Sequence, residues 1–249
     1  MDTKRKETIK FWIAILILLV LIGIVISIVI KYQVDGETNM PFELSKITII
    51  STAEGEQNSE NPDNAKWNLK INQNNDIYFY ITKNESIKKM SVINSITIEN
   101  INVINKPIKG KVNVYMPNSG EGRRFLCEDS FIVEDSLTYT GSKETDEKTL
   151  TIGNQGGTIP IRISNCNIGE YVSNEDAEII HNGTLLNRIN TTNEDVQFSI
   201  SFDLIITVNN IKYKTNILLH LPYENIIESG ITKIDLDNDN SDWVFKRVS

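Results

Sequence analysis

The residues best suited to catalysis or metal binding are sparse in this chain and widely separated. Its only histidines are His181 and His220, and its only cysteines are Cys127 and Cys166. A structural zinc site clusters four Cys or His ligands, and nucleophilic catalysis sets a base beside its nucleophile. Neither spacing occurs, nor does a G-x-S-x-G, an H-E-x-x-H or a P-loop. His220 alternates with Leu219 and Leu221, which puts it on the outward side of a strand, opposite Ser199. His181 falls in a His-Asn-Gly-Thr turn, so both read as surface histidines. Cys127 and Cys166 either bridge or stay as two free thiols, and linear sequence does not decide between these.

The acidic run from Asp235 to Asp242 opens with the D-x-D-x-D spacing of an EF-hand loop. Asn240 replaces the turn glycine, however, and Lys246 stands where the bidentate glutamate belongs. The expectation is a solvated acidic tail over residues 225–249 rather than a calcium site. Gln155-Gly156-Gly157 matches no dinucleotide fingerprint and reads as a turn or bulge ahead of a strand. No catalytic, cofactor-binding or metal-ligating residue is assigned, no cofactor is expected, and the chain is not read as an enzyme.

The elements that would position any site begin with an anchor. Residues 11–30, FWIAILILLVLIGIVISIVI, hold no charge and one polar side chain, Ser27. At 1.5 Å per residue they span about 30 Å, the thickness of a hydrocarbon core. The run exceeds a signal-peptide core and no small-x-small cleavage site precedes Lys31, which favours a retained transmembrane helix in contact with the lipid bilayer. Lys4, Arg5, Lys6 and Lys10 precede it, whereas Lys31 alone follows before Asp35 and Glu37. The positive-inside rule therefore leaves residues 1–10 as a cytoplasmic stub and sends the C-terminal part outside. Five cations against two anions give residues 1–31 a charge of +3, so the total of −8 leaves −11 on the rest. Such a surface repels phosphate backbones and anionic headgroups, and nucleic acid is excluded as a partner.

Beyond the anchor the pattern is β. Phe198, Ile200, Phe202, Leu204, Ile206 and Val208 occupy even positions; after Asn209-Asn210 the apolar set turns odd, at Ile211, Tyr213, Ile217, Leu219 and Leu221. A two-residue turn there pairs residues whose numbers sum to 419, and asparagine tolerates the positive φ of a type I′ turn. Further strands are expected at 46–51, 66–72, 76–82, 92–104, 110–116, 149–152 and 158–164. Ile179-Ile180 and Leu185-Leu186 flank the His181 turn as another hairpin. No helical periodicity appears outside the anchor. The pattern is that of an all-β, extracytoplasmic β-sandwich domain.

Residues 72–82 align with 154–164 at an offset of 82, and 101–117 align with 206–222 at an offset of 105 with five of 17 positions identical. The order is conserved, which suggests duplication into two Ig-like modules, 31–120 and 121–224.

The stretches GETNMPFELSKITIISTAEG (36–55), NQGGTIPIRISN (154–165) and NGTLLNRI (182–189), behind an N-terminal anchor, resemble a group of bacterial single-pass membrane proteins. The resemblance implies an extracytoplasmic β-rich domain and carries no activity with it. The functional expectation is a binding or structural module of the bacterial cell envelope with a protein partner. The alternatives are an accessory subunit of a membrane complex, engaged through the transmembrane helix, and an envelope enzyme; Gly23 and Ser27, four apart, offer a small-residue face for helix dimerisation.

Overall fold

The structure is a computed structural model that describes residues 3–58, 65–88, 90–119, 124–143, 150–174, 184–238 and 243–248. Helix α1 (Thr3–Asp35) contains the expected span, and its segment Thr8–Gln33 is long and apolar enough to cross a membrane. It ends at Gly36, whose φ of +69° places it in the left-handed region and whose N–H donates to the Tyr32 carbonyl at 2.9 Å. This is the glycine cap expected where a helix must stop and the chain must turn.

The remaining described chain forms two sheets. Sheet A has the order β10 (Ile231–Asp237), β1 (Phe42–Gln57), β2 (Trp67–Lys83), β7 (Gly157–Ser173), β4 (Lys111–Tyr115). Sheet B has the order β11 (Lys246–Arg247), β9 (Ile211–Leu221), β8 (Phe198–Val208), β3 (Ile93–Asn105), β5 (Ser136–Gly141), β6 (Thr151–Ile152). All neighbours are antiparallel except β5 and β6. Both sheets bury apolar faces in one shared cluster that includes Phe42, Ile47, Phe79, Ile96, Tyr139 and Phe202. Phe79 of sheet A meets Phe202 of sheet B edge to face, ring centroids 5.8 Å apart.

The expected division at residues 120 and 121 does not describe this arrangement. Strands from both sides of it are interleaved within each sheet, and they share the core. The aligned segments 72–82 and 154–164 fall largely in β2 and β7, which are adjacent strands of one sheet, with Ile77 opposite Ile161. The second pair fails topologically, because β8 and β9 form a hairpin whereas β3 and β4 lie in different sheets. Alternation made these segments alike. The acidic tail is also corrected: β10 pairs with β1 and β11 with β9, so residues 231–237 and 246–247 are sheet edges. Asp235 and Asp237 are charges on an edge strand, which discourages further pairing.

The β8–β9 hairpin has the expected register, from Phe198 opposite Leu221 to Val208 opposite Ile211, and Asn209 and Asn210 both have positive φ. β1, β2 and β7 are longer than expected. The gap between the expected strands 66–72 and 76–82 lies inside the continuous strand β2, with Asn72-Gln73-Asn74-Asn75 across it. Its side chains find partners that a turn would take from water. Ser51 Oγ donates to Asn75 Oδ1 at 2.7 Å, Gln73 Nε2 to the same oxygen at 3.2 Å, and Asn75 Nδ2 to the Ile163 carbonyl at 2.8 Å. Together with Asn165 these residues form a buried polar row across β1, β2 and β7.

On one side of that row is the core between the sheets. On the other, the inner surface of sheet A is covered by two short helices, α2 (Thr184–Arg188) and α3 (Asn193–Val196), through Leu185, Leu186 and Val196, all fully buried against Ala53, Leu69 and Ile71. Leu185 and Leu186 are therefore helical, not one arm of a hairpin; residues 181–183, with His181, lie outside the described residues. β1 runs from the α1 end of the domain to the capped end, about 50 Å away for 16 residues at roughly 3.3 Å each.

The register makes two substitutions on β8 diverge. Phe202 is 1% exposed and Ser201 is half-buried on the opposite face. In urea unfolding of the detergent-solubilised protein, Phe202→Ala is expected to cost about 3–5 kcal/mol and Ser201→Ala within about 0.5 kcal/mol. A larger loss at Ser201 would contradict the pairing.

Candidate binding site

The site is built where the helical cap hands the chain to β8. Thr192 caps α3: its hydroxyl accepts from the Asp195 N–H, and the Asp195 carboxylate accepts in turn from the Thr192 N–H. That hydrogen bond, and then Lys109 at 3.0 Å, hold the Asp195 carboxyl below its ordinary range. The fixed helix end delivers Gln197 and Phe198 to the start of the strand. Ser199 then points outward from sheet B, opposite His220 on β9.

Ser199 Oγ lies 2.8 Å from His220 Nδ1, and Asn105 Nδ2 on β3 donates to the same oxygen at 3.2 Å. Ser199 is 5% exposed, while His220 is open to solvent. With Gln197, Phe198, Leu221 and Pro222 these three line a cleft of about 390 Å³ at the capped end. A serine beside a histidine is the start of a nucleophile and base, but a catalytic histidine needs a third group to fix its ring. Among the described residues, no carboxylate bonds the other ring nitrogen. What the cleft offers is hydrogen bonding: an amide, a hydroxyl and an imidazole over an apolar floor. Such a combination suits recognition.

The same face of sheet B carries a second polar cluster nearer α1. Asp203 accepts from Asn216 at 3.0 Å, from Asn100 at 2.9 Å and from Lys214 at 3.1 Å. Burial pushes its carboxyl up, but the bonds from Asn216, Asn100 and Lys214 outweigh burial and hold the pKa below the ordinary value.

The outer face of sheet A is different. Arg162 grips Asp76 with two bonds, Nε to Oδ1 at 2.6 Å and Nη2 to Oδ2 at 2.9 Å, and stacks on Phe125 with its guanidinium carbon 5.0 Å from the ring centre. Cys127 lies 3.6 Å from Arg162 Nη1, and Cys166 lies 3.6 Å from the Tyr115 hydroxyl. The two thiols are not bridged. Burial pushes the Cys166 thiol up, so it stays protonated and weakly nucleophilic.

Of the residues weighed for chemistry, His220 lines the cleft described above. Asp235 accepts a hydrogen bond from Thr48 Oγ1 and lies 3.8 Å from Lys46, and Asp237 pairs with Lys46 in the β10–β1 ladder; residues 239–242 lie outside the described residues. Among the described residues no three His, Cys, Asp or Glu side chains are grouped as metal ligands. The cross-strand rule places Ser199 opposite His220 from sequence alone. Asn105 carries no such signal, because the β3–β8 pairing is long-range and shifts register three times. Comparison with protein-family profiles, curated proteins and solved structures gives no match.

The Asp203 cluster sets a pH dependence. A carboxyl with a depressed folded pKa stabilises above its unfolded value, near 3.9, and that contribution disappears as pH falls through the folded pKa. Asp203→Asn is expected to cost about 1–3 kcal/mol at pH 7, with the deficit shrinking below about pH 4. Parallel stability curves for the two proteins down to acid pH would contradict it.

Proposed function

We propose that the protein is a membrane-anchored binding module of the bacterial cell envelope, which holds a β-sandwich outside the cytoplasmic membrane and offers its capped end to a protein partner. The observation that carries this reading is α1 itself. Its most apolar stretch has no burial against the rest of the chain, and Phe11, Leu16, Leu19 and Ile28 are each 60–62% exposed. That much apolar surface is stable only in hydrocarbon. The four cations before the span put the sandwich on the outer side. The cleft of Asn105, Ser199 and His220 then lies at the end away from the bilayer, where a partner meets no lipid.

Two assays in cells test it. Protease added after removal of the wall is expected to digest everything beyond about residue 32 and to spare the N-terminal stub; a protected C-terminal domain would overturn the orientation. A photo-crosslinking side chain at position 220 is expected to give a discrete adduct that weakens in Asn105→Ala, with none from position 233 on β10. Equal labelling from both positions would remove the cleft from the proposal.

A further inference from the structure

Lys212, Lys214, Lys246 and Arg247 lie together where the chain returns to the helix. β11 runs antiparallel to β9, with Lys246 opposite Lys214, and the Val248 N–H extends the pairing to the Lys212 carbonyl at 2.9 Å. The same short strand is tied to α1. Lys246 Nζ donates to Gln33 Oε1 at 2.6 Å, the Arg247 N–H donates to the Tyr32 hydroxyl at 2.8 Å, and the Glu37 N–H donates to the Phe245 carbonyl at 2.8 Å.

These bonds fix the height of β11. Ile30 ends the charge-free run, and at 1.5 Å per residue Tyr32 and Gln33 lie about 3–5 Å beyond it. The polar headgroup layer is roughly 5–7 Å thick on each side of the hydrocarbon core. The Arg247 backbone and the Lys246 ammonium, bonded to Tyr32 and Gln33, therefore sit at phosphate level. Lys31, Lys212 and Arg247 are exposed there, Lys246 is half-buried beside them, and Val248 adds a half-exposed apolar side chain. Asp35 and Glu37 follow the span in sequence; Glu37 accepts a hydrogen bond from the Asn39 N–H at 3.2 Å, and Lys214 is paired with Asp203.

We infer that Lys31, Lys212, Lys246 and Arg247 form a basic collar that binds the anionic phosphodiester headgroups of the leaflet from which α1 emerges. The collar rests on the membrane-anchored reading of α1 and adds a second, lipid-selective contact to it. An overall charge of −11 beyond residue 31 repels an anionic surface as a whole. The collar reverses that sign where distance matters most, since attraction fades within a Debye length. The acidic bulk of the domain is then pushed away from the membrane while its base is held, so the two ends orient the sandwich together.

The test uses the full-length protein in nanodiscs of phosphatidylcholine, with and without phosphatidylglycerol. Amine-reactive footprinting read by mass spectrometry follows each lysine. Phosphatidylglycerol is expected to slow labelling of Lys212 and Lys246 by on the order of fivefold for each collar cation engaged, with Lys70 and Lys111 at the far end unchanged. Arg247→Gln is expected to weaken the protection at Lys212, Arg247→Lys to keep it, and high salt to remove it. The Arg247 backbone bond to Tyr32 survives both substitutions, so neither is expected to unfold β11. Equal labelling of Lys212 and Lys246 in the two lipids would overturn the collar, as would equal slowing of Lys70 and Lys111. Failure to enter nanodiscs would instead overturn the anchored reading of α1.

Discussion

The structure depends on the meeting of the two ends of the chain at Gly36. A helix whose N–H and C=O groups are satisfied internally can end in many directions, and nothing in α1 itself selects one. Selection comes from the cap and what is packed on it. Gly36 turns with φ of +69°, and a side chain there would place its Cβ 2.5 Å from both the Phe245 carbonyl oxygen and Val244 Cγ1. The C-terminal segment thus occupies the space beside the cap, and the Glu37 N–H bonds to Phe245 in the same place. Phe245 is buried in the common core. The junction is therefore continuous with the packing of both sheets and couples the helix to them.

The C-terminal segment that meets Gly36 also follows strands that cover one edge of each sheet. β10 covers the free edge of β1 and β11 part of the edge of β9, and both follow the last long hairpin in sequence. Until β10 and β11 are in place β1 and β9 are open, and open strands invite pairing between molecules; β4 and β6 form the other two edges. β11 is in turn bonded to the end of α1 through Lys246 and Arg247, so edge protection and attachment to the helix share one segment. Along the long axis lie the cations of β9 and β11 beside α1, a polar row where the two cores meet, and the cleft of Ser199 and His220 beyond it.

The parts of this arrangement that were legible in sequence are those governed by local rules. The long apolar helix follows from an unbroken apolar run, and the β8–β9 register from a parity change across Asn209-Asn210. What was hidden depended on partners distant in sequence. Asn72 to Asn75 carry turn residues, and only Ser51, Ser164 and Ile163, brought up by β1 and β7, make them strand residues. Asp235 and Asp237 look like a solvated tail until Thr48 and Lys46 are set beside them. The site was half-visible: Ser199 and His220 follow from the hairpin, while Asn105 and the α3 cap needed contacts across the fold. The interleaving of strands defeated the two-module expectation, since similar alternation is produced by neighbours in one sheet as readily as by repeated domains.

The account stands on the rigidity of the Gly36 junction, and one distance measurement addresses it directly. Spin labels at positions 10 and 233 of a cysteine-free protein in nanodiscs report the separation of helix and sandwich by pulsed electron resonance. A locked junction gives a single narrow distribution, broadened by Gly36→Val, which clashes with Phe245 and strains the positive φ. A broad distribution in the unmodified junction, indifferent to Gly36→Val, would mean that the sandwich swings freely on its anchor and would contradict the account.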